Sequence, residues 1–183
     1  MRMVYAAAVF AAVSAAPAFA QDAPATNFSG FHVEAIAGLD IVQANGDGAS
    51  GVLHGVSAGY DFRNGNAVFG IEAEAAESTT DDCVNFGANV CAEAGRDLYV
   101  GGRVGTTLAD NVLLYAKAGY SNARITLESG GASAGTTLDG IRGGAGLEWA
   151  TGTPLVVRAE YRYTNYESDF SRHQGLLGLG LRF

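Results

Sequence analysis

Three histidines, two cysteines and a scatter of carboxylates are the groups from which this 183-residue chain could build a reactive site. His173 stands close to Ser168, Asp169 and Ser171, which are the base, nucleophile and acid that acyl transfer or hydrolysis requires. No other stretch offers that set, and its plainer reading is a histidine in a polar loop. His54 and Ser57 are three residues apart, so in an extended segment they point to opposite faces and cannot meet. His32 falls near the start of the first extended segment. Cys83 and Cys91 lie in the stretch from Glu77 to Arg96, with no histidine nearby to complete a metal site. In an oxidising compartment they are expected to form a disulfide, worth about 2.5 kcal/mol of loop ordering on the chain-entropy account. Asp81 and Asp82 could attract a cation, but adjacent acids are ordinarily a solvated surface. Phosphate cradles, nucleotide fingerprints and zinc spacings are absent, and Gly178 with Gly180 reads as packing space. The expectation is therefore a chain that is not an enzyme, with no catalytic, cofactor-binding or metal site and no cofactor.

The composition asks what would hold such groups. The chain is 48% hydrophobic and 16% charged with a net charge of -8, which argues against disorder and against electrostatic nucleic-acid binding. Lys117 is its single lysine. Soluble proteins cover themselves with charge, so the shortage points to a surface that meets lipid. Residues 1–20 read as a signal peptide: Arg2, an apolar run from Val4 to Ala16, then Ala18-Phe19-Ala20 as the cleavage pattern. Residues 21–27 would follow as a periplasmic N-terminal segment. Without Arg2 the chain keeps 10 basic against 19 acidic side chains. No later run is long and apolar enough for a spanning helix.

Beyond residue 28 the sequence alternates with a period of two, the signature of strands. Eight segments show it: Phe31 to Ile41, Val52 to Phe62, Phe69 to Ala75, Leu98 to Leu108, Leu114 to Tyr120, Ile141 to Trp149, Val157 to Tyr163 and Leu177 to Phe183. Tight connections at Arg63–Asn66, Ala109–Asn111 and Thr151–Pro154 alternate with longer ones at Gln43–Gly51, Glu77–Arg96, Glu128–Leu138 and Asn165–Arg172. Short turns at one end and long loops at the other are what outer-membrane barrels show. One face of every segment carries no charge in its central part. The other carries Glu34, Asp61, Glu72, Glu74, Glu148 and Glu160 against Arg103, Lys117, Arg142, Arg158, Arg162 and Arg182. Six acids matched to six bases suit an enclosed interior where each charge needs a partner. A secreted barrel of the opposite sense, apolar inside, would need no such balance. Phe31, Tyr60, Phe62, Phe69, Tyr120, Trp149, Tyr161, Tyr163 and Phe183 fall near segment ends on the uncharged face, as membrane girdles do. Gly101, Gly105, Gly119, Gly144, Gly146, Gly178 and Gly180 fall on the charged face, leaving room for large side chains in a narrow barrel.

The stretch RAEYRY from Arg158 to Tyr163, and the ending GLLGLGLRF closing on Phe183, resemble the small eight-stranded outer-membrane barrels of the OmpA transmembrane-domain and opacity-protein type. The resemblance covers Phe28 to Phe183. It implies an all-β, eight-stranded antiparallel up-and-down transmembrane barrel over residues 28–183, in the outer membrane of a Gram-negative bacterium. It also implies that Leu179, Leu181 and Phe183 form a C-terminal signal read by the outer-membrane assembly machinery. The partners to expect are outer-membrane lipid, lipopolysaccharide and a possible surface ligand held by the loops, with the chain itself a monomer. Unlike full-length OmpA, the sequence stops at the barrel, so wall tethering through a peptidoglycan-binding domain is not expected. The function implied is envelope integrity with surface recognition by the loops, adhesion and host contact included. A narrow channel for small solutes or ions, and a lipid A-modifying enzyme, are the alternatives; some barrels of this kind cut or acylate lipopolysaccharide.

Overall fold

The computed structural model describes residues 28–183 except 45–46, 80, 86–88, 130–131 and 168–169; side chains are further excluded at 44, 47–49, 81–85, 89–94, 125–129, 132–134 and 170. The leader and N-terminal segment expected over residues 1–27 lie outside the described residues, as do Ser168 and Asp169.

Alternation becomes strand throughout: β1 (Gly30–Ala44), β2 (Asp47–Asn64), β3 (Ala67–Ser78), β4 (Asp81–Asn85), β5 (Asn89–Ala109), β6 (Val112–Ser129), β7 (Ala132–Ala150), β8 (Leu155–Tyr166) and β9 (Phe170–Arg182). The sheet runs β3-β2-β1-β9-β8-β7-β6-β5-β4, every pairing is antiparallel, and β3 also pairs with β5. That last pairing closes eight strands into a barrel without free edges, which is how a sheet satisfies its backbone in hydrocarbon. The ninth strand, β4, pairs only with β5, in the hairpin that projects beyond the barrel.

Three tight turns join β2 to β3, β5 to β6 and β7 to β8. Gly65 and Gly152 stand at positive φ in the first and third, conformations an L side chain rarely adopts. At the opposite end the expected loops are largely strand. Pairing of β1 with β2 continues to Ala44 and Asp47, of β6 with β7 to Ser129 and Ala132, and of β8 with β9 to Tyr166 and Phe170. A polar stretch with no face to bury shows weak alternation. Its backbone nevertheless keeps pairing, because an antiparallel ladder satisfies N–H and C=O groups for as long as both strands last. β5 has 21 residues and β7 has 19, against about 9–11 needed to cross a bilayer, so the long hairpins stand well clear of it.

The burial pattern is that of a soluble protein turned inside out. Ile71, Ile141 and Leu177 are 66%, 75% and 65% exposed on the outer face, while Arg158, Arg162 and Glu148 are fully buried inside. The girdle side chains Tyr60, Phe62, Phe69 and Trp149 are exposed toward the turn end, and Tyr120, Tyr161 and Tyr163 toward the loop end. The interior also has apolar parts that alternation did not single out. Phe28, Val68, Leu113, Tyr115 and Ala150 close the turn end, and Ile36, Leu53, Ala76 and Leu176 pack together on the inner faces of β1, β2, β3 and β9.

A charge placed on the outer face tests this orientation. Leu177→Arg, on the outer face between the two girdles, is expected to cost about 2–4 kcal/mol of folding into phosphatidylcholine vesicles, and Ser50→Arg near the rim about 0–1 kcal/mol. Fluorescence of Trp149, the single tryptophan, reads both in a urea titration.

Candidate functional site

The inward side chains form one ionic column along the barrel axis. At the turn end, Arg103 Nε donates to Asp61 Oδ1 at 2.7 Å, its Nη2 pairs with the other oxygen, and its Nη1 reaches Glu148 Oε2 at 3.1 Å. Arg182 bridges the same two acids, at 2.7 Å from Asp61 and 2.5 Å from Glu148. Two acids and two arginines therefore close a ring. His32 sits beside it with Nδ1 3.4 Å from Asp61 and Nε2 3.5 Å from Glu72.

In the middle tier Arg158 donates to Glu72 at 2.6 Å and to Ser57 Oγ at 2.9 Å, and its Nε lies 2.8 Å from Glu34. Lys117 Nζ stands 2.9 Å from Glu72, 2.5 Å from Glu74 and 2.9 Å from Glu160. Tyr115 donates to Glu160 at 2.6 Å, and Lys117 lies 4.7 Å from the ring centre of Tyr99. Higher up, Arg162 pairs with Glu74 and donates to Gln174 at 2.6 Å. Arg142 joins Glu74, Asp97 and Thr164, and Arg172 joins Asp40 and Asp97.

All twelve charged residues expected on the inner face stand in this column: Glu34, Asp61, Glu72, Glu74, Arg103, Lys117, Arg142, Glu148, Arg158, Glu160, Arg162 and Arg182. The structure adds His32, Asp40, Asp97 and Arg172. His32 and Asp40 have the inward parity of β1 and were legible as such. Arg172 lay at the end of a stretch read as a loop, and Asp97 between such a loop and the segment that starts at Leu98. Eight acids thus face seven bases and one histidine.

Glycines make the column possible. A Cβ at Gly70 would overlap the Asp61 carboxylate, one at Gly180 the Glu34 side chain, and one at Gly101 the Tyr99 hydroxyl. Small residues on one strand admit long charged ones from the next, the packing that a narrow barrel demands.

The carboxylates of Glu72, Glu74 and Glu160 offer oxygens all within 4.8 Å of one another, a spacing that could hold a metal ion. Lys117 puts an ammonium into that position. The trio therefore cages an internal cation, and its chemistry is charge pairing.

The reactive-site candidates separate. His173 projects from the outer face, where its Nδ1 shares a 2.7 Å hydrogen bond with the Tyr161 hydroxyl and its ring packs on Tyr163. His54 is exposed on the outer face of β2. The backbone puts Cys83 directly opposite Cys91 in the β4–β5 ladder, while the expected disulfide concerns side chains outside those described. Leu179 and Leu181 face outward, and Phe183 stacks on Phe31 and donates its backbone N–H to the Phe31 carbonyl at 2.8 Å, sealing the β1–β9 seam.

Removing one partner of a buried ion pair strands its charge. Lys117→Met is expected to cost about 3–5 kcal/mol, seen as a lowered urea midpoint in chelator-treated micelles. Millimolar Mn²⁺ should restore part of that loss in the variant and leave the wild type unmoved.

Comparison with known proteins agrees with this geometry. The family described as an outer membrane protein beta-barrel domain matches residues 6–183. A 22 kDa outer membrane protein of Rhizobium leguminosarum bv. viciae is 31% identical over 140 residues, covering 70% of this chain and 64% of the relative. A 25 kDa outer-membrane immunogenic protein of Brucella ovis is 30% identical over 129 residues, covering 70% and 62%. The matched part thus spans less than two thirds of either relative's length. Among solved structures, Ail, the attachment invasion locus protein of Yersinia pestis, in complex with the heparin analogue sucrose octasulfate, superposes with a TM-score of 0.64 at 19% identity, covering 85% of this chain and all of that one. At that identity the likeness is one of fold.

Proposed function

The chain belongs to the outer membrane protein β-barrel family, and on that footing we propose that it is a structural barrel of the outer membrane that displays its long hairpins for recognition at the cell surface. The observation that carries this reading is the ionic column. Its acids and bases are spent on one another across the barrel axis, so the interior serves as a core. That arrangement supports neither free passage of solutes nor catalysis inside the barrel.

The remaining parts take roles that fit. A leader over residues 1–20 would deliver the chain to the periplasm, and the outward Leu179, Leu181 and Phe183 would be read by the assembly machinery. A Cys83–Cys91 disulfide would pin the tip of the longest hairpin, where the backbone already sets the two residues in register. Display at the surface is also in keeping with the name of the Brucella relative, an immunogenic protein. The outer-face His173, held by Tyr161 among girdle aromatics, fits a girdle role better than that of a general base.

Planar-bilayer recording from the purified monomer tests the packed core, with no stable conductance expected. A deletion strain is expected to lose resistance to bile salts and to regain it with the wild-type chain. Stable unitary conductance would favour the channel, and unchanged resistance in the deletion strain would remove the envelope role. Peptide mass spectrometry without reduction is expected to find residues 83 and 91 joined; two free thiols would end that part.

A further inference from the structure

The ring of Asp61, Arg103, Glu148 and Arg182 is the lowest tier of the ionic column, the one that water at the turn end would reach first. It is nevertheless enclosed. The side chains of Asp61 and Glu148 are fully buried, that of Arg103 is 1% exposed and that of Arg182 6%. The strength of these pairs depends on that enclosure, because attraction between charges grows as the local dielectric falls. Something must therefore close the mouth beneath them.

Phe28 lies there. It belongs to no strand, standing just ahead of β1, yet it is fully buried and forms one cluster with Val68, Leu113, Tyr115 and Ala150. Leu113 and Tyr115 are on β6, which lies four strands from β1 by either way around the barrel. The cluster that Phe28 joins thus spans the mouth from wall to wall. It also meets the ring above it. Arg182 Cζ lies 5.8 Å from the centre of the Phe28 ring, and Arg103 Cζ 5.2 Å from that of Tyr115. Each guanidinium of the ring rests over an aromatic of the floor, a contact that strengthens when water is removed.

The local sequence puts Phe28 in this place. Period two runs back from Glu34 and His32 through Gly30, which gives Phe28 the inward parity. Gly30 stands at φ +111°, and a Cβ there would overlap the Phe183 carbonyl oxygen, so glycine alone lets the start and the end of the barrel pass this close. Ser29 Oγ donates to the Asp61 carbonyl at 3.2 Å, pinning the arm to β2 at the ring itself.

We propose that Phe28 is the stopper of the turn-end mouth, lying across it and excluding water from the ring of Asp61, Arg103, Glu148 and Arg182. Resting on the outer-membrane reading above, this role deepens it: the N-terminal arm becomes the periplasmic seal of a barrel whose core is ionic. A ring without its floor is open to counterions, so its pairs become sensitive to salt, whereas sealed pairs are screened much less.

Two measurements on the full chain in zwitterionic micelles test the seal. The first needs no variant. Arg182 Nε is buried without a hydrogen-bond partner among the described residues, so slow exchange of its proton reports the exclusion of water. In heteronuclear NMR spectra at rising pH, its Nε–H signal is expected to outlast that of the exposed Arg96, and simultaneous loss of the two would overturn the stopper. The second is the urea midpoint at about 0.01 M and about 1 M NaCl, between which the Debye length shrinks from about 30 Å to about 3 Å. Phe28→Ala is expected to lose about 0.5 M more of its midpoint at high salt than the wild type does. Leu53→Ala, which opens the apolar cluster away from the ring, should lower the midpoint and keep the wild-type response to salt. A Phe28→Ala variant that is less stable but answers salt as the wild type does would reduce Phe28 to ordinary packing. Should that variant fail to fold, the exchange measurement decides. Insertion of the wild type into phosphatidylcholine vesicles is followed in parallel. A chain that does not insert refutes the barrel reading, whereas one that inserts but exchanges Arg182 as readily as Arg96 refutes the stopper alone.

Discussion

Everything in this protein depends on neutralising charge inside a closed sheet. A barrel in hydrocarbon cannot use an apolar interior as its driving force, because its outside must already be apolar. Eight carboxylates and seven bases, with His32 between Asp61 and Glu72, occupy the space instead. Each ion would be costly alone in that space, and pairing removes most of the cost. The pairs also select the register. A one-residue slip of any strand would turn its charges to lipid and its leucines inward. Ion pairing thus supplies the specificity that hydrophobic burial supplies elsewhere.

The same constraint explains the distribution of positive charge. Arginine outnumbers lysine because its planar fork can bridge two acids at once, as Arg103 and Arg182 both do between Asp61 and Glu148. The single lysine occupies a site of another kind, a cage of three carboxylates that suits a compact ammonium. Seven of the ten basic side chains among the described residues are indoors, so few are left for the outer face.

How much of this was legible depended on parity. Wherever a strand had one face in lipid, alternation identified its inward charges, and Glu34, Arg158 and Glu160 could be placed from sequence alone. The signal faded where strands rise above the membrane, since both faces are then wet and polar. Asp97 and Arg172 lie on that part, and so the partners that Asp40 meets in the upper tier of the column were not visible. The bulge between Ala94 and Asp97 breaks parity as well, and no local composition announces it. Which acid meets which base was never in the sequence pattern, because that depends on the order in which strands close around the axis.

The closing seam has a temporal meaning. The last strand brings Arg172 and Arg182 to Asp40 and Asp61, partners separated by 132 and 121 residues along the chain. Until β9 arrives, Asp40 lacks its arginine, Asp61 and Glu148 have only Arg103, and β1 keeps one unpaired edge. A nascent barrel is thus an electrically incomplete vessel, unable to commit to the lipid phase before its final residues are delivered. Quality control needs no separate inspector for truncated copies: a chain lacking its tail carries its own mark of incompleteness, an open rim and unquenched acids that leave it exposed to periplasmic proteases.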